Sequence, residues 1–455
     1  MAVVIESSIW EPNPWVYVFL ILACLSSILV FPYASKNYNS STKTPAVFDH
    51  GVSSPSFLRF QRNFLLIYSL GSVMEGLWSV FGEFELAYYG ISREQMVLYL
   101  CCGYAAALFL GTFLGVLSDL IGQKKVCLIF CILHLLVGLW KRIVAHPSIL
   151  VTSIFLSLST SIFSFSFETW MVVQHEKQGH RQDTLNETFW LMSFFESVSL
   201  IGSQMLANWL IGNKAEKTII SSFQVLVLFA VVGIICVARG WTEIQRTTTF
   251  KEYKMSFCAY IFGDKRIWLL GWAQACLHFS IAVFWILWAP TLVADGREVN
   301  LGLIFPCLMG SRMLGSTVFP WLIGGLSSVR TEDCLVYAFI VLGLVVSIIA
   351  YDYQEIGVLV MLFCLYHACT GLILPALARL RTMYVPNELR GGMISLSQAP
   401  AHAAILLLVM QRWYSQNIGN SMIMAIAALG LFSAAGGMHM LKRWGKQPYQ
   451  NWHKL

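Results

Sequence analysis

Apolar runs of about 20 residues, long enough to cross a bilayer as a helix, repeat along almost the whole chain and are separated by short polar turns. The first covers Trp15–Tyr33 and is followed by a polar linker, Ala34–Ser56. Six more read 60–89, 95–118, 125–145, 148–175, 189–212 and 218–240. A basic connector, Trp241–Lys265, precedes a second six at 266–294, 300–326, 332–352, 356–385, 389–412 and 417–441. Lipid offers the backbone no hydrogen-bond partner, so each run is expected to close its bonds internally as an α-helix. Two sets of six around one longer loop are the pattern of an internally repeated membrane protein. The expected architecture is therefore an all-α multi-pass membrane protein. It has an extra N-terminal span with its linker (1–56), a first half (57–240), a connector (241–265), a second half (266–441) and a polar tail (442–455).

Composition sharpens this picture. Hydrophobic residues make up 57% of the 455 and charged residues only 12%, about half the charge of an ordinary soluble chain. The net charge of +6 belongs to loops facing anionic lipid and carries no sign of a nucleic-acid partner. The 12 cysteines lie mostly inside apolar runs, with no CxxC or Cys/His spacing, and read as small packing residues rather than disulfides or metal ligands. The residues before the first run are acidic (Glu6, Glu11), so that run is read as a retained span and not a cleaved signal. Most Lys and Arg fall on the side of Lys124 and Lys125, which makes that side cytoplasmic. The first half then begins and the second half ends in the cytosol, with the extreme N-terminus on the opposite face. Acceptor-like triplets at Asn39 and Asn186 fall on the cytoplasmic side and are discounted as glycosylation sites.

Between the second and third core spans stands Gly115-Val116-Leu117-Ser118-Asp119-Leu120-Ile121-Gly122-Gln123-Lys124-Lys125. Gly115 and Gly122 allow close helix approach, Asp119 can accept from free N–H groups at a neighbouring helix N-terminus, and the Lys pair stays on the inner side. This stretch resembles the G-x-L-x-D-x-x-G-x-x-K/R gate loop of the major facilitator superfamily. A weak echo, Gly315, Gly324-Gly325 and Arg330, sits at the matching place in the second half. Further matches occur at Ser54-Pro55-Ser56-Phe57-Leu58-Arg59-Phe60, Ser166-Phe167-Glu168-Thr169-Trp170 with His175 and Glu176, and Thr188-Phe189. They continue at Gln274 through Leu287-Trp288-Ala289-Pro290 and Leu301-Gly302-Leu303-Ile304-Phe305. Together these resemble the molybdate-anion transporter group of that superfamily, and the resemblance implies alternating-access transport of a small solute. The group carries basic residues in core spans 1, 5 and 11 where this chain has Phe84, Leu191 and Gln398, and a Glu in span 7 where it has His278. Its acidic residue in span 1 is matched by Glu75. An oxyanion needs donors or positive charge in its cavity, so the resemblance implies fold and transport class and leaves the substrate open.

Ionisable residues inside a bilayer are functional candidates. At ~1.5 Å per residue, Glu75 lies about 22 Å along core span 1 and His278 about 18 Å along span 7. Their similar depth on facing helices makes them a candidate proton-coupling pair, with protons the expected second partner. His134 reads as structural, whereas Gln398 and His402 in span 11 are candidate substrate contacts. Arg312 in span 8 and Glu196 in span 5 sit about 10–12 Å above the inner face. Two readings stand: a structural ion pair holding the halves together, or an anion-binding cation with Glu196 as its resting partner. Trp78, Trp285 and Trp288 could line a cavity suited to a flat organic solute. At the inner rim, Glu168 on span 4 and Arg379 on span 10 are paired as a gate, with Arg381, about 200° further round the helix, as the alternative. No Ser/His/Asp, metal or GK[ST] constellation appears, so an enzyme is disfavoured and no cofactor is expected. A receptor or scaffold on the same fold remains the other class.

Overall fold

The computed structural model describes residues 9–41, 55–144, 148–180, 182–211, 215–242, 249–324, 329–351, 355–415 and 419–445. Of the expected linker, Ala34–Ser56, residues 42–54 lie outside them, as does the tail beyond 445, while 34–41 and 55–56 belong to the flanking helices. Among the described residues the chain is helical apart from turns and one isolated bridge between Trp10 and Val299. The first half is α2 (Pro55–Tyr88), α3 (Arg93–Ala106), α4 (Thr112–Ile121), α5 (Gln123–Ile143), α6 (Ile149–Lys177), α7 (Gln182–Ile211) and α8 (Ala215–Gly240). A π-turn, Ala107–Gly111, joins α3 to α4, so the two form one continuous span. The second half is α10 (Lys265–Leu292), α11 (Leu301–Gly324), α12 (Thr331–Ala350), α13 (Ile356–Tyr384), α14 (Arg390–Ser415) and α15 (Asn420–Trp444).

Among the described residues, eleven helices are long and apolar enough to cross a membrane. The two other expected spans fall short for different reasons. The apolar stretch described in α1 (Pro14–Ser41), Pro14–Val30, is too short to count, and α7 carries Glu187, Glu196 and a series of serines. α7 packs against α2 and α11, and α11 against α7, α13 and α1. The α7 serines Ser193, Ser197, Ser199 and Ser203 are buried in protein, while Glu187, near the start of the helix, is exposed. Each half has its own apolar core, built on Phe64, Phe130 and Phe167 in the first and on Phe339, Phe363 and Leu431 in the second.

Two features depart from the expected outline. The connector is not a plain loop: Thr249 opens a helix, α9 (Phe250–Gly263), through a capping box in which its hydroxyl accepts from the Glu252 N–H and the Glu252 carboxylate accepts from the Thr249 N–H. The extra N-terminal helix docks along α11. The Tyr17 hydroxyl donates to the Leu303 carbonyl (2.6 Å), the Trp321 indole donates to the Ser27 carbonyl (3.1 Å), and a Cβ on Gly310 would stand 3.1 Å from Leu20. The Trp10 N–H donates to the Glu298 carbonyl just before α11, so α1 and α11 run in the same direction.

Candidate functional site

The gate loop is built as its residue types require. A Cβ on Gly115 would lie 1.9 Å from the Ser395 hydroxyl and 2.7 Å from the Gly391 carbonyl, so only glycine lets α4 meet α14 here. Gly122 takes φ +103° to turn the chain into α5. Asp119, 1% exposed, accepts from the Gly391 N–H (3.1 Å), the Gly392 N–H (2.7 Å) and the Tyr253 hydroxyl (3.1 Å). It thereby caps the first turn of a helix in the opposite half, with help from the connector helix. Lys124 donates to the carbonyls of Ala238 (2.9 Å) and Trp241 (2.7 Å), the negative end of α8, while Lys125 is exposed. The echo does a different job: Gly315 lets α11 meet the Ala368 carbonyl of α13 inside the second half.

Glu168 stands at the centre of the inner rim, but Arg379 is not its partner. Arg381 holds both carboxylate oxygens, one through its Nε at 3.0 Å and the other through Nη2, and donates from Nη1 to the Gln274 carbonyl oxygen (3.0 Å). Arg390 adds a third donor at 2.8 Å. Two residues rotate a helix by about 200°, which is why Arg379 and Arg381 cannot share one partner. Arg390, fully buried, escaped the sequence reading because it lies at a helix start and looks like a loop cation. Nearby, Asn387 donates to Glu176, a further bond from the second half to the first. Glu168, Arg381, Arg390 and Asp119 thus tie the two halves together at the Lys124 end of the bundle.

Deeper in the membrane, Arg312 donates from Nη2 to Glu196 (2.9 Å), whose other oxygen accepts from the Tyr68 hydroxyl (2.8 Å). The pair crosses between the halves as the depth arithmetic expected. Gly371 holds α13 against the Arg312 carbonyl, where a Cβ would sit 2.1 Å away. One turn earlier stands His367, which the sequence reading passed over. It is 3% exposed with neither ring nitrogen hydrogen-bonded, its ring set among Phe284 (4.8 Å), Trp285 (5.3 Å) and Tyr366 (5.4 Å). A single His in an apolar helix gave no signal of this.

Glu75 and His278 do not form a facing pair. Glu75 bonds His134 (3.1 Å) and accepts from the Thr160 hydroxyl (2.7 Å), all within the first half. His278 meets His402, Nε2 to Nε2 at 3.1 Å, one ring donating to the other, with Tyr104 of the first half 6.1 Å from His402. Gln398 accepts from Ser164 (2.9 Å) across the halves. Trp78 is not beside Trp285 and Trp288: it packs near Phe223 (6.0 Å), under the Lys141 ammonium at 5.3 Å. Lys141, in the last turn of α5, is buried and paired with Glu85. Trp285 instead meets Trp288 edge to face (5.9 Å) and Phe305 at a tilt (5.7 Å).

A cross-half carboxylate–helix cap, a carboxylate held by two arginines and a buried ion pair at the seam join the two halves. A family described as sugar transporters with 12 transmembrane segments matches residues 15–378. The chain belongs to the major facilitator superfamily. Within it, the chain is similar to curated molybdate-anion transporters. The molybdate-anion transporter of Xenopus tropicalis is 22% identical over 394 residues, 84% of this chain and 86% of that one. Its Takifugu rubripes counterpart is 25% identical over 386 residues, 77% and 78% of the two chains. Solved structures share the fold. A bacterial homologue of the iron transporter ferroportin in an outward-facing state matches with TM-score 0.65 at 14% identity, covering 85% of this chain and 99% of that one. The Escherichia coli fucose:proton symporter matches with TM-score 0.63 at 14% identity, over 86% and 99%. The family and fold are those of integral membrane transporters.

Proposed function

We propose that this protein moves a small anion across its membrane by alternating access, with Arg312 as the anion-binding cation and Glu196 as its resting partner. The observation that carries the reading is the Arg312–Glu196–Tyr68 cluster, a cation held inside the membrane span where the halves meet. An isolated guanidinium at this depth is costly, from ~3 to above 10 kcal/mol, and an arriving anion can take over the role of Glu196. The relatives' names make a molybdate-type oxyanion the first candidate. The aromatic wall of Trp285, Trp288 and Phe305 favours a second, an organic carboxylate. Glu75 with His134, and His278 with His402, are the proton-carrying groups in this reading, each a titratable pair inside the span. Gln398, bonded to Ser164, lines the seam beside them. Closure of the inner rim by Glu168 and Asp119 corresponds to an outward-facing resting state, with the Lys124 side and the C-terminus cytosolic in a plasma or endomembrane.

The test is uptake into proteoliposomes of labelled molybdate and sulfate, with benzoate-type and aliphatic carboxylates as competitors. Arg312→Gln should abolish uptake of whichever anion is carried. Saturable uptake that survives this substitution refutes the assignment. Ligand binding without any flux would instead make the protein a receptor on a transporter fold.

A further inference from the structure

On the inner face, away from the seam, two arginines of α2 have no role in anything described above. Arg59 and Arg62 are one turn apart on the same side of the helix, and both are exposed. Among the described residues neither has an ion-pair partner. They stand about 6 Å and 10 Å from the start of α2, the depth at which a membrane helix passes through the headgroups. Above them a cleft of about 590 Å³ runs between α2 and α7, walled by Leu58, Leu65, Leu66 and Phe195. Gln61 forms its floor and donates to the Thr188 hydroxyl (3.1 Å), tying the two helices together behind the cleft.

We infer that this cleft is a binding site for one anionic phospholipid, its phosphate between Arg59 and Arg62 and an acyl chain along Leu65, Leu66 and Phe195. Charge and shape both select this occupant. Leu58 and Leu66 are 51% and 64% exposed on a helix that crosses lipid, so an acyl chain is what meets them. Guanidinium groups recognise phosphate through paired donors, and a basic pocket between spans at the headgroup level favours an anionic lipid over a zwitterionic one. A free phosphate would use only the arginines and leave the apolar cleft unfilled. Phe195 is next in sequence to Glu196, so an occupied cleft bears on the helix that holds the carboxylate at the seam. The site itself does not depend on the transport reading.

Native mass spectrometry of the purified full chain, mixed with phosphatidylglycerol or with phosphatidylcholine of the same chains, tests it. Phosphatidylglycerol should bind in one-to-one stoichiometry and more tightly than phosphatidylcholine. Arg59→Gln with Arg62→Gln should weaken it about 30-fold, from two cation contacts, and narrow or abolish its preference over phosphatidylcholine. Leu66→Gln should weaken the lipid but not inorganic phosphate, which separates a lipid site from a bare anion site. Equal affinity for the two lipids, or full phosphatidylglycerol binding in the double arginine variant, overturns the proposal. Because binding is read directly, the outcome is independent of whether Arg312→Gln stops uptake.

Discussion

Replacing Glu168 by Gln tests the inner gate most directly, because one carboxylate there neutralises two guanidinium groups. Arg390 is 0% exposed and Arg381 7%, and their donors reach Glu168 at 2.8 Å and 3.0 Å. Removing the anion strands both cations in the closed rim, where breaking a buried pair costs about 3–5 kcal/mol. When the inner side opens, water solvates both arginines and the cost falls away. The substitution therefore penalises the closed state alone, and about 3–5 kcal/mol corresponds to a shift of roughly two to almost four orders of magnitude toward the inward-open state. A cysteine at Ser164, which bonds Gln398 across the seam, reports the change in a background stripped of reactive native cysteines. An impermeant maleimide applied from the Lys124 side should label it slowly in the parent and rapidly in Glu168→Gln. Glu168→Gln with Arg381→Gln should recover part of the protection, since one stranded charge is gone. Replacement of Arg379 should not mimic either. Unchanged labelling with Glu168→Gln would refute the gate.

Three further outcomes follow from the same geometry. Asp119→Asn should insert normally but transport poorly, since an amide offers one acceptor oxygen for the Gly391 and Gly392 N–H groups and the Tyr253 hydroxyl, a loss of about 1–3 kcal/mol at the seam; flux equal to the parent defeats this. Gly115→Ala should lower thermal stability by about 1–3 kcal/mol through overpacking, and Ser395→Gly in the same molecule should return part of it, whereas an unchanged melting temperature in the single variant contradicts the contact. Glu196→Gln and Arg312→Gln should each cost about 3–5 kcal/mol, with the double variant more stable than the sum of the singles predicts; strict additivity in melting experiments would mean the two are not partners.

What the sequence determined by itself is what depends on local composition and helical rise. Hydropathy placed the spans because lipid tolerates only internally bonded backbone. Arithmetic at ~1.5 Å per residue put Arg312 and Glu196 at one depth, and two lone opposite charges at one depth in hydrocarbon have a strong reason to meet. Asp119 was legible because a short motif encodes its own turn and its helix-capping chemistry. Rotation about each helix axis, and which neighbour a face meets, are not local quantities, and there only the tertiary structure decided. Arg381 rather than Arg379 faces Glu168 because α13 is turned that way against α6 and α10. Glu75 turns to His134 inside its own half and His278 to His402, although depth alone matched Glu75 with His278. Trp78 faces the Lys141–Glu85 pair rather than the seam, and the docking of α1 on α11 rests on Tyr17, Ser27 and Leu20, none of which stands out in an apolar run. Depth follows from counting residues along one helix, whereas facing requires every helix around it.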